Sequence, residues 1–439
     1  MPISMEYKMK LLLLLLIGIA PVCFAQDVLT LREAIEITLK NNYDIQISKN
    51  NVEISERNVS RANAGMFPAV TGNLTNNNSI QNSTQTRATG EVTERNNARG
   101  NNLNYGVGLN WTVFDGFRMF ARYDQLKELQ KQGEANLQLR IISTVSNVME
   151  RYYDLVQQQQ QLKAFDTAVV ISRLRVKTAQ TRFEVGKAAR LEVLNAQVDF
   201  NTDTTNLLNQ QAQYRNSRIA LNELMARDVN IPFQVSSGFE INGSINLADV
   251  SSLALAQNPG LRAALISKRI AELDLKQVRA NRYPIINLNS GYNFNRSETA
   301  LGFATQTSGR GFNYGLSASI NIFNGFLQRR EEKNSEVLIR NAELDYQRIN
   351  QSLNAQLASA YQTYLTNLSL VKLEENNQRI ASQNLDITLT RYRLGTITQV
   401  EIRDAQLNYL NATVRSNNSR YQAKLAEIAL REISGSIDL

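Results

Sequence analysis

This chain lacks the residues on which most enzyme chemistry depends. It has no histidine, and its one cysteine is Cys23, near the N-terminus, so an intrachain disulfide is excluded. It contains neither a phosphate-binding P-loop nor a Gly-x-Ser-x-Gly nucleophile elbow. Carboxylates are scattered along the sequence, but their spacing does not bracket a pocket. We therefore expect no enzymatic activity, no cofactor and no metal site.

Long hydrophobic runs are absent after the first 25 residues. There, two lysines precede an apolar run from Leu11 to Ala20, and Cys23-Phe-Ala25 supplies small residues for cleavage after Ala25. We expect residues 1–25 to be a signal peptide that exports the chain. Val22 does not suit lipidation of the following cysteine, so Cys23 should be removed with the peptide. Because no later run matches a membrane helix, membrane insertion would have to use strands.

Charge of one sign is not concentrated in any segment. The 48 basic and 40 acidic residues give a net charge of +8 and are mixed along the chain. This pattern is typical of solvated helical surfaces, and we expect no nucleic-acid partner. Proline is also scarce. The four prolines beyond residue 25 lie at junctions between predicted elements, which leaves the helices uninterrupted: Pro68, Pro232, Pro259 and Pro284.

The sequence does contain a two-fold repeat. Residues 391–406 read RYRLGTITQVEIRDAQ, and residues 182–197 read RFEVGKAARLEVLNAQ, 209 positions earlier. Arginine, an aromatic residue, glycine, glutamate and Ala-Gln are in register. Phe323-Asn-Gly-Phe326 matches Phe114-Asp-Gly-Phe117 at the same offset. Two copies of one structural unit are the simplest explanation.

The repeat predicts the domain organisation. We expect a first repeat at 26–226, a linker at 227–245 and a second repeat at 246–439. Each repeat should end in a long helical hairpin, with turns near Gly186 and Gly395.

Each repeat also predicts two strands. Apolar residues alternate with Gly, Asn, Ser and Thr in four segments: 69–76, 105–114, 285–295 and 314–323. Residues 77–104 are almost entirely polar and predict a loop. Strands with one apolar and one polar face are typical of a barrel wall with lipid outside and water inside. Four aromatic residues are predicted to lie at the membrane interfaces: Tyr105, Trp111, Tyr292 and Tyr314.

A heptad pattern marks the long helices. The first series is Val148, Leu155, Leu162, Val169, Val176 and Phe183; the second is Leu357, Tyr364, Val371, Gln378, Leu385 and Tyr392. Such a seam is typical of coiled-coil packing. A helix over about 118–184 would form a rod about 100 Å long.

Four strands cannot close a barrel, since about eight are needed, and open edges are not tolerated in lipid. The expected fold class is an α+β membrane protein with an internal two-fold repeat. Three copies would build a trimeric twelve-stranded β-barrel, four strands per chain, continued by a long α-helical coiled-coil barrel. The alternative, a soluble helical bundle with two β-hairpins, is disfavoured by the export signal and the strand alternation.

The order and spacing of these motifs resemble the TolC-like outer-membrane efflux proteins over essentially the whole exported chain. The resemblance implies a homotrimeric duct in the outer membrane, in contact with lipid, whose helical tunnel crosses the periplasm. It also implies a periplasmic adaptor protein and an inner-membrane RND or ABC pump, in multidrug efflux or type I secretion. Drugs, metal ions and secreted polypeptides all remain open as cargo. A non-channel envelope protein, such as an adhesin or a coiled-coil spacer, is the alternative function.

The resemblance places a periplasmic gate at the helical turns. Glu401 and Asp404, one turn apart, match an acidic ring that would attract cations, although Glu401 could simply complement a helix N-terminus. Tyr392 matches a tyrosine that holds the mouth closed, but it also continues the heptad seam. Glu192, the counterpart of Glu401, is expected only to complement its helix. Arg190 is expected to pair with an acidic group across the mouth.

Adaptor docking is expected at the two turns, on Gly186, Lys187, Gly395 and Thr396. The chain departs from the family at three positions. Phe117 and Phe326 stand where the family often has a second glycine. Ile397 stands where the family's gating residue can be basic, so the closing contacts at the tip are expected to differ.

Overall fold

The computed structural model describes residues 28–236, 238, 240–300 and 304–437, so the predicted signal peptide lies outside the described residues. The described part contains six strands: β1 (Val28–Leu29), β2 (Ala69–Thr86), β3 (Val92–Asp115), β4 (Gln234–Val235), β5 (Ile285–Thr299) and β6 (Gln306–Ser319). It also contains eight helices: α1 (Leu31–Asn41), α2 (Tyr43–Asn58), α3 (Arg118–Glu184), α4 (Arg190–Leu224), α5 (Leu247–Gln257), α6 (Pro259–Ala280), α7 (Leu327–Leu394) and α8 (Gln399–Ser434).

The chain divides into two compact units. One contains the described residues up to Ile45, together with Ile141–Ala254 and the chain from Gln356 onwards. The other contains Gln46–Arg140 and Leu255–Ala355, and therefore the large sheet. Within the described part of the chain, no helix has both the length and the apolar character needed to cross a bilayer.

The large sheet has the order β2-β3-β5-β6, and every neighbouring pair is antiparallel. Its register places Tyr105 opposite Phe294 and Trp111 opposite Leu288. Residues directly opposite in an antiparallel pair project to the same side of a sheet. Most apolar residues of the four strands therefore share one face, and most glycine, asparagine and serine residues share the other, as the alternation predicts; the exceptions include Gly72 and Ser290 on the apolar face and Ile285 on the polar face.

The first strand pair is longer than the sequence pattern suggests. The prediction of a polar loop at 77–104 is wrong, because β2 continues to Thr86, β3 starts at Val92, and only residues 87–91 connect them. The cross-strand ladder satisfies the backbone without an apolar face. Its polar side chains also bond across the strands, as where the Asn101 amide donates to Asn76 Oδ1 at 2.9 Å. A hydrophobic pattern cannot reveal such a ribbon.

In the second strand pair, β6 ends earlier than predicted at its C-terminal end. Strand β6 stops at Ser319, so residues 320–323 of the predicted strand lie outside it. The register explains this end, because Ser319 lies opposite Ile285, the first residue of β5. Beyond that point β6 has no partner in β5.

The long helices occur where the heptads place them, and the seam is buried or half-buried except at Phe183, the last member of the first series, which is exposed. Val148 and Leu155 are completely buried in the first series, and Leu357 and Tyr364 are nearly so in the second. The linker predicted at 227–245 also contributes structure that its composition does not indicate. Strand β4 pairs in parallel with β1, and Tyr152 on α3 donates a hydrogen bond to the Leu29 carbonyl at 3.0 Å.

Each passage from the sheet to a long helix contains two consecutive residues with left-handed backbone: Gly116 (φ 71°) and Phe117 (φ 68°), then Gly325 (φ 64°) and Phe326 (φ 64°). A Cβ on Gly116 would lie 2.3 Å from the Ala280 carbonyl oxygen, so that position requires glycine. The two phenylalanines accept a conformation that glycine adopts at lower cost. In return, each ring packs edge-on against the phenylalanine three residues earlier.

Candidate functional site at the helical tips

The turn after α3 is a Schellman motif. The Lys187 amide donates to the Arg182 carbonyl at 2.7 Å, and the Gly186 amide donates to the Phe183 carbonyl at 3.0 Å. Gly186 has φ 75°, the left-handed conformation that this motif needs. The turn therefore ends the helix abruptly and satisfies its last carbonyls.

The turn after α7 has the same geometry. The Thr396 amide donates to the Arg391 carbonyl at 3.1 Å, the Gly395 amide donates to the Tyr392 carbonyl at 3.0 Å, and Gly395 has φ 82°. The four residues predicted for adaptor docking are thus exposed at two equivalent turns: Gly186, Lys187, Gly395 and Thr396.

Tyr392 lies in the core of the tip rather than on its surface. It is 1% exposed and packs in a cluster with Ile171, Leu385, Ile397, Ile402 and Ala405. Burial raises the pKa of its phenol. Ile397 is also buried, so the residue that departs from the family pattern packs beneath the turn. In this chain both side chains stabilise the tip by apolar contact.

Arg182 joins the two turns. Its Nη2 donates to the Tyr392 carbonyl at the end of α7, and its guanidinium lies 4.8 Å from the centre of the Tyr392 ring. A cation at a helix C-terminus complements the carbonyls that lack helical partners. Arg182 therefore fastens the end of α7 to α3.

Helix α8 begins with a capping box. The Thr398 hydroxyl accepts from the Glu401 amide at 3.3 Å, and the Glu401 carboxylate accepts from the Thr398 amide at 2.8 Å and from its hydroxyl at 2.9 Å. The two bonds to the carboxylate hold the pKa of Glu401 below its usual range, and the bond from the Thr398 backbone amide has the larger effect. The N-terminal role of Glu401 is thus present, and Asp404 lies exposed one turn further on.

The first-repeat tip is built differently. Helix α4 has Ala189 as its N-cap, with no side-chain cap, and Glu192 lies half-buried in its first turn. Arg190 is exposed at the start of the helix. Its predicted partner across the mouth would have to come from another copy of the chain, and that pairing remains a prediction.

Replacing Thr398 with valine should destabilise the first turn of α8 by about 1 kcal/mol. Valine keeps the shape of the side chain but cannot accept the hydrogen bond from the Glu401 amide. Hydrogen exchange of the amides at 399–402 should then be about fivefold faster at neutral pH. A depressed carboxylate pKa stabilises the fold above the unfolded-state value, and this contribution is lost as pH falls through the folded-state value.

The effect of Thr398→Val should therefore shrink on acidification to about pH 3, below the ordinary glutamate pKa. Thr363→Val is the matched control, since its hydroxyl donates to the Ser359 carbonyl within α7. An equal effect at both pH values would show that the bond between the Thr398 hydroxyl and the Glu401 carboxylate adds nothing to the cap.

A buried polar network close to the tips was not anticipated from the sequence. Arg175 of α3 donates to Asp199 of α4 at 2.7 Å and to Gln406 of α8 at 3.1 Å. Arg403 of α8 donates to Asp203 of α4 at 2.7 Å, and its Nε lies 3.5 Å from Asp199. Two arginines and two aspartates thus connect three helices from both hairpins.

The network is deeply buried. Arg175, Asp203 and Gln406 are each 1% exposed. Ser172 and Gln406 also donate to the Asp203 carboxylate. Together with Arg403, three residues from other helices therefore bond to this carboxylate. One signal could have revealed it: Asp203 lies seven residues from both Ala196 and Gln210, in the buried seam of α4.

The aromatic residues predicted for the membrane interfaces lie on the apolar face of the sheet. Tyr105 stacks on Phe294 at 4.9 Å, and the Phe294 ring also meets Tyr292 at 5.2 Å. Tyr314 packs near Phe312, so phenylalanines join the predicted tyrosines. Trp111 lies six residues along β3 from Tyr105, roughly 20 Å, and its indole donates to the Met66 carbonyl. By register Tyr292 lies opposite Val107, and Tyr314 lies opposite Ser290, so the aromatics are spread along the strands between the levels of Tyr105 and Trp111.

Comparison with known proteins gives consistent matches. The sequence model of a family described as "Outer membrane efflux protein" matches residues 34–227 and 250–436. The chain is 23% identical over 327 residues to the outer membrane protein TolC of Vibrio cholerae, covering 72% of each chain. It is 21% identical over 406 residues to the outer membrane efflux protein BepC of Brucella suis, covering 92% of this chain and 85% of BepC.

Two solved structures share the fold at low identity. The outer-membrane channel OprN superposes with a TM-score of 0.75 at 16% identity, covering 93% of this chain and 90% of OprN. The CmeC outer membrane channel of Campylobacter jejuni superposes with a TM-score of 0.76 at 19% identity, covering 92% and 85%. The combination of long helices with a four-stranded antiparallel sheet is therefore a known architecture.

Proposed function

The chain belongs to the outer membrane efflux protein family, and from that membership we propose that it is the outer-membrane duct of a tripartite efflux or type I secretion system. Its location is the outer membrane. In this proposal an inner-membrane pump delivers substrates through a periplasmic adaptor, and the chain is a passive exit without catalytic activity.

The sheet supports this proposal most directly. Its outer strands, β2 and β6, each have one edge without a partner in the described chain, and every residue of β6 is exposed. In lipid, unpaired backbone groups on such edges are not tolerated. Pairing β6 of one copy with β2 of the next would remove both edges. Three copies would then close a twelve-stranded barrel with the apolar face towards lipid.

The tips support a gate in this duct. Glu401 and Asp404 are exposed one turn apart on α8, and three copies would place six carboxylates around one opening. A ring of carboxylates attracts cations and repels anions. The lowered pKa of Glu401 would keep its part of the ring charged in mildly acidic surroundings.

Neutralising this ring in the Glu401→Gln, Asp404→Asn double variant should reduce cation preference, because the carboxylates would no longer attract cations. Reversal potentials in planar bilayers under a salt gradient measure the preference. Asp386→Asn, an exposed change on α7, is the control for loss of charge. Unchanged selectivity in the double variant would remove the acidic-gate proposal.

The function itself is tested by assembly and conductance. The purified protein should migrate as a heat-modifiable trimer from outer-membrane fractions and should conduct ions in bilayers. A non-conducting elongated monomer or dimer in the periplasm would instead favour the adhesin or spacer function. A duct takes much of its specificity from its pump, so isolating the pump that copurifies from the native host would identify the cargo class.

A further inference from the structure

The apolar face of the sheet changes character near the connections of its two hairpins. On β5, the next residue on this face after Phe294 is Arg296. On β6, the residue on this face that precedes Phe312 is Arg310. Both arginines are exposed. Two neighbouring strands therefore pass from aromatic side chains to arginine on the same face and towards the same end of the sheet.

The two arginines are close enough to bind one group. Arg310 lies opposite Phe294, and Arg296 lies opposite Ser308. They are therefore diagonal neighbours, whose backbones are about 7–8 Å apart. Such a separation is within the combined reach of two arginine side chains.

Positive charge exceeds negative charge on this part of the face. Arg296 bonds to Glu298 at 2.7 Å, but the two side chains are 54% and 46% exposed, so the pair is weak and easily opened. Arg310 has no ion-pair or hydrogen-bond partner in the part of the chain that the structure describes. Arg99, opposite Ile80, adds a third cation on the same face. Across the four strands of the described sheet, Glu298 is the one carboxylate among these residues.

Asparagines extend the polar band across the other two strands. Asn76 lies level with Arg296, and Asn78 lies opposite Asn101. The Asn101 amide donates to Asn76 Oδ1 at 2.9 Å and to Asn78 Oδ1 at 2.6 Å. The amide nitrogens of Asn76 and Asn78 have no acceptor among the described residues, and both side chains are exposed. Four strands span roughly 14 Å, so the band offers donors over that width.

The position of the band suits a membrane surface. Arg296 lies ten residues along β5 from Ile286, the first residue of that strand on the apolar face. Ten residues cover about 33 Å of strand, or about 25 Å of height at the usual tilt, which is the height of the apolar wall of a membrane barrel. The helices join the opposite end of the sheet. In the proposed duct, on which this step rests, the band therefore lies at the outer surface of the membrane.

We propose that this band binds the phosphorylated sugar head group of an outer-leaflet lipid. Arg296 and Arg310 bind a phosphate, for which the planar guanidinium is well shaped, and the amides of Asn76 and Asn78 donate to sugar hydroxyls. The lipid chains pack against the apolar residues of the same face. A free phosphate would lack that second contact and would meet only an open, solvated surface, so the occupant is the lipid.

The test is titration of the full detergent-solubilised protein with fluorescently labelled lipopolysaccharide, before and after enzymatic removal of its phosphates, at constant ionic strength. We expect saturable binding that is about tenfold weaker for the dephosphorylated lipid. Arg310→Gln should weaken binding about fivefold, and Arg310→Gln with Arg296→Gln about twentyfold. Arg61→Gln, an exposed change in the turn before β2, is the matched control and should leave binding unchanged. Inorganic phosphate should not displace the lipid.

Four outcomes would overturn the site: equal binding of the two forms of the lipid, normal binding by the double variant, equal weakening by Arg61→Gln and Arg310→Gln, or displacement by inorganic phosphate. The last would indicate a site for free anions instead. The heat-modifiable band and the conductance of each variant report separately on the duct. A protein that conducts without preferring the phosphorylated lipid would overturn the lipid site alone, whereas one that neither inserts nor conducts would overturn both proposals.

Discussion

Replacing Asp203 with asparagine should destabilise the packed tip by about 3–5 kcal/mol, the usual cost of removing one partner from a buried ion pair. Asp203 is 1% exposed and accepts hydrogen bonds from Arg403, Ser172 and Gln406. Without its charge, Arg403 keeps only Asp199 at 3.5 Å, and Asp199 already serves Arg175. The variant therefore leaves positive charge buried and poorly compensated.

Hydrogen exchange and limited proteolysis of the tip measure this loss. Asp386→Asn is the matched control, because it removes an exposed carboxylate from α7. Replacing both partners, as Asp203→Leu with Arg403→Met, should recover most of the stability, since an apolar pair of similar volume carries no desolvation cost. If Asp203→Asn exchanged no faster than Asp386→Asn, the network would not be what holds the hairpins together.

The same variant has a functional consequence if the chain is a duct. The network joins α4 of the first hairpin to α8 of the second, so weakening it should raise the fraction of time for which the channel conducts. Single-channel recordings of Asp203→Asn should show longer open periods at unchanged ion selectivity, because Glu401 and Asp404 remain in place.

The second large effect concerns the sheet. Leu316→Arg should prevent stable assembly in the outer membrane, because Leu316 lies opposite Leu288 on the apolar face of β6. An arginine facing the middle of a bilayer costs about 2–4 kcal/mol, and a trimer would carry three. Ser317→Arg is the matched control, one residue further along the same strand and opposite Asn287 on the polar face.

Outer-membrane fractionation and the heat-modifiable band distinguish the two variants. Leu316→Arg should be lost from the membrane fraction, whereas Ser317→Arg should assemble and conduct less, since its charge would project into the lumen. If both variants assembled equally well, the apolar face would not be the lipid face.

Periodic features of the sequence predicted the periodic parts of the fold. The seven-residue series located the buried seams of α3 and α7, and the two-residue alternation located the amphipathic part of the sheet. Both succeed because one face of each element is apolar over many turns or residue pairs. The strand ribbon at 77–104 was not predicted, because its backbone hydrogen bonds form without an apolar face that a hydrophobic pattern could reveal.

The candidate site was only partly accessible from the sequence, for a different reason. The turns at Gly186 and Gly395 were visible, because a left-handed residue ending a helix favours glycine. The network of Arg175, Asp203 and Arg403 was not, since its members are brought together only by packing of distant helices. The sequence around a single charged residue in a long polar helix does not indicate which distant residue it pairs with.

The sequence left two roles open for Glu401, capping a helix and forming part of a gate, and the structure shows the capping role. The carboxylate caps α8 through Thr398, and this bond also fixes where its charge is held. Capping and gating are therefore compatible, because a capped glutamate is a charge in a defined position at the rim of the turn.

The β2–β3 ribbon has a practical consequence for protein engineering. Beyond Gly100, which lies opposite the last residue of β5, strand β3 continues to Val92 with β2 as its only neighbour in the described sheet. Two-stranded ribbons contribute little to the stability of a domain. The connecting residues 87–91 are therefore the natural place to insert a peptide tag or a labelling sequence, because extra residues there would leave the four-stranded wall undisturbed.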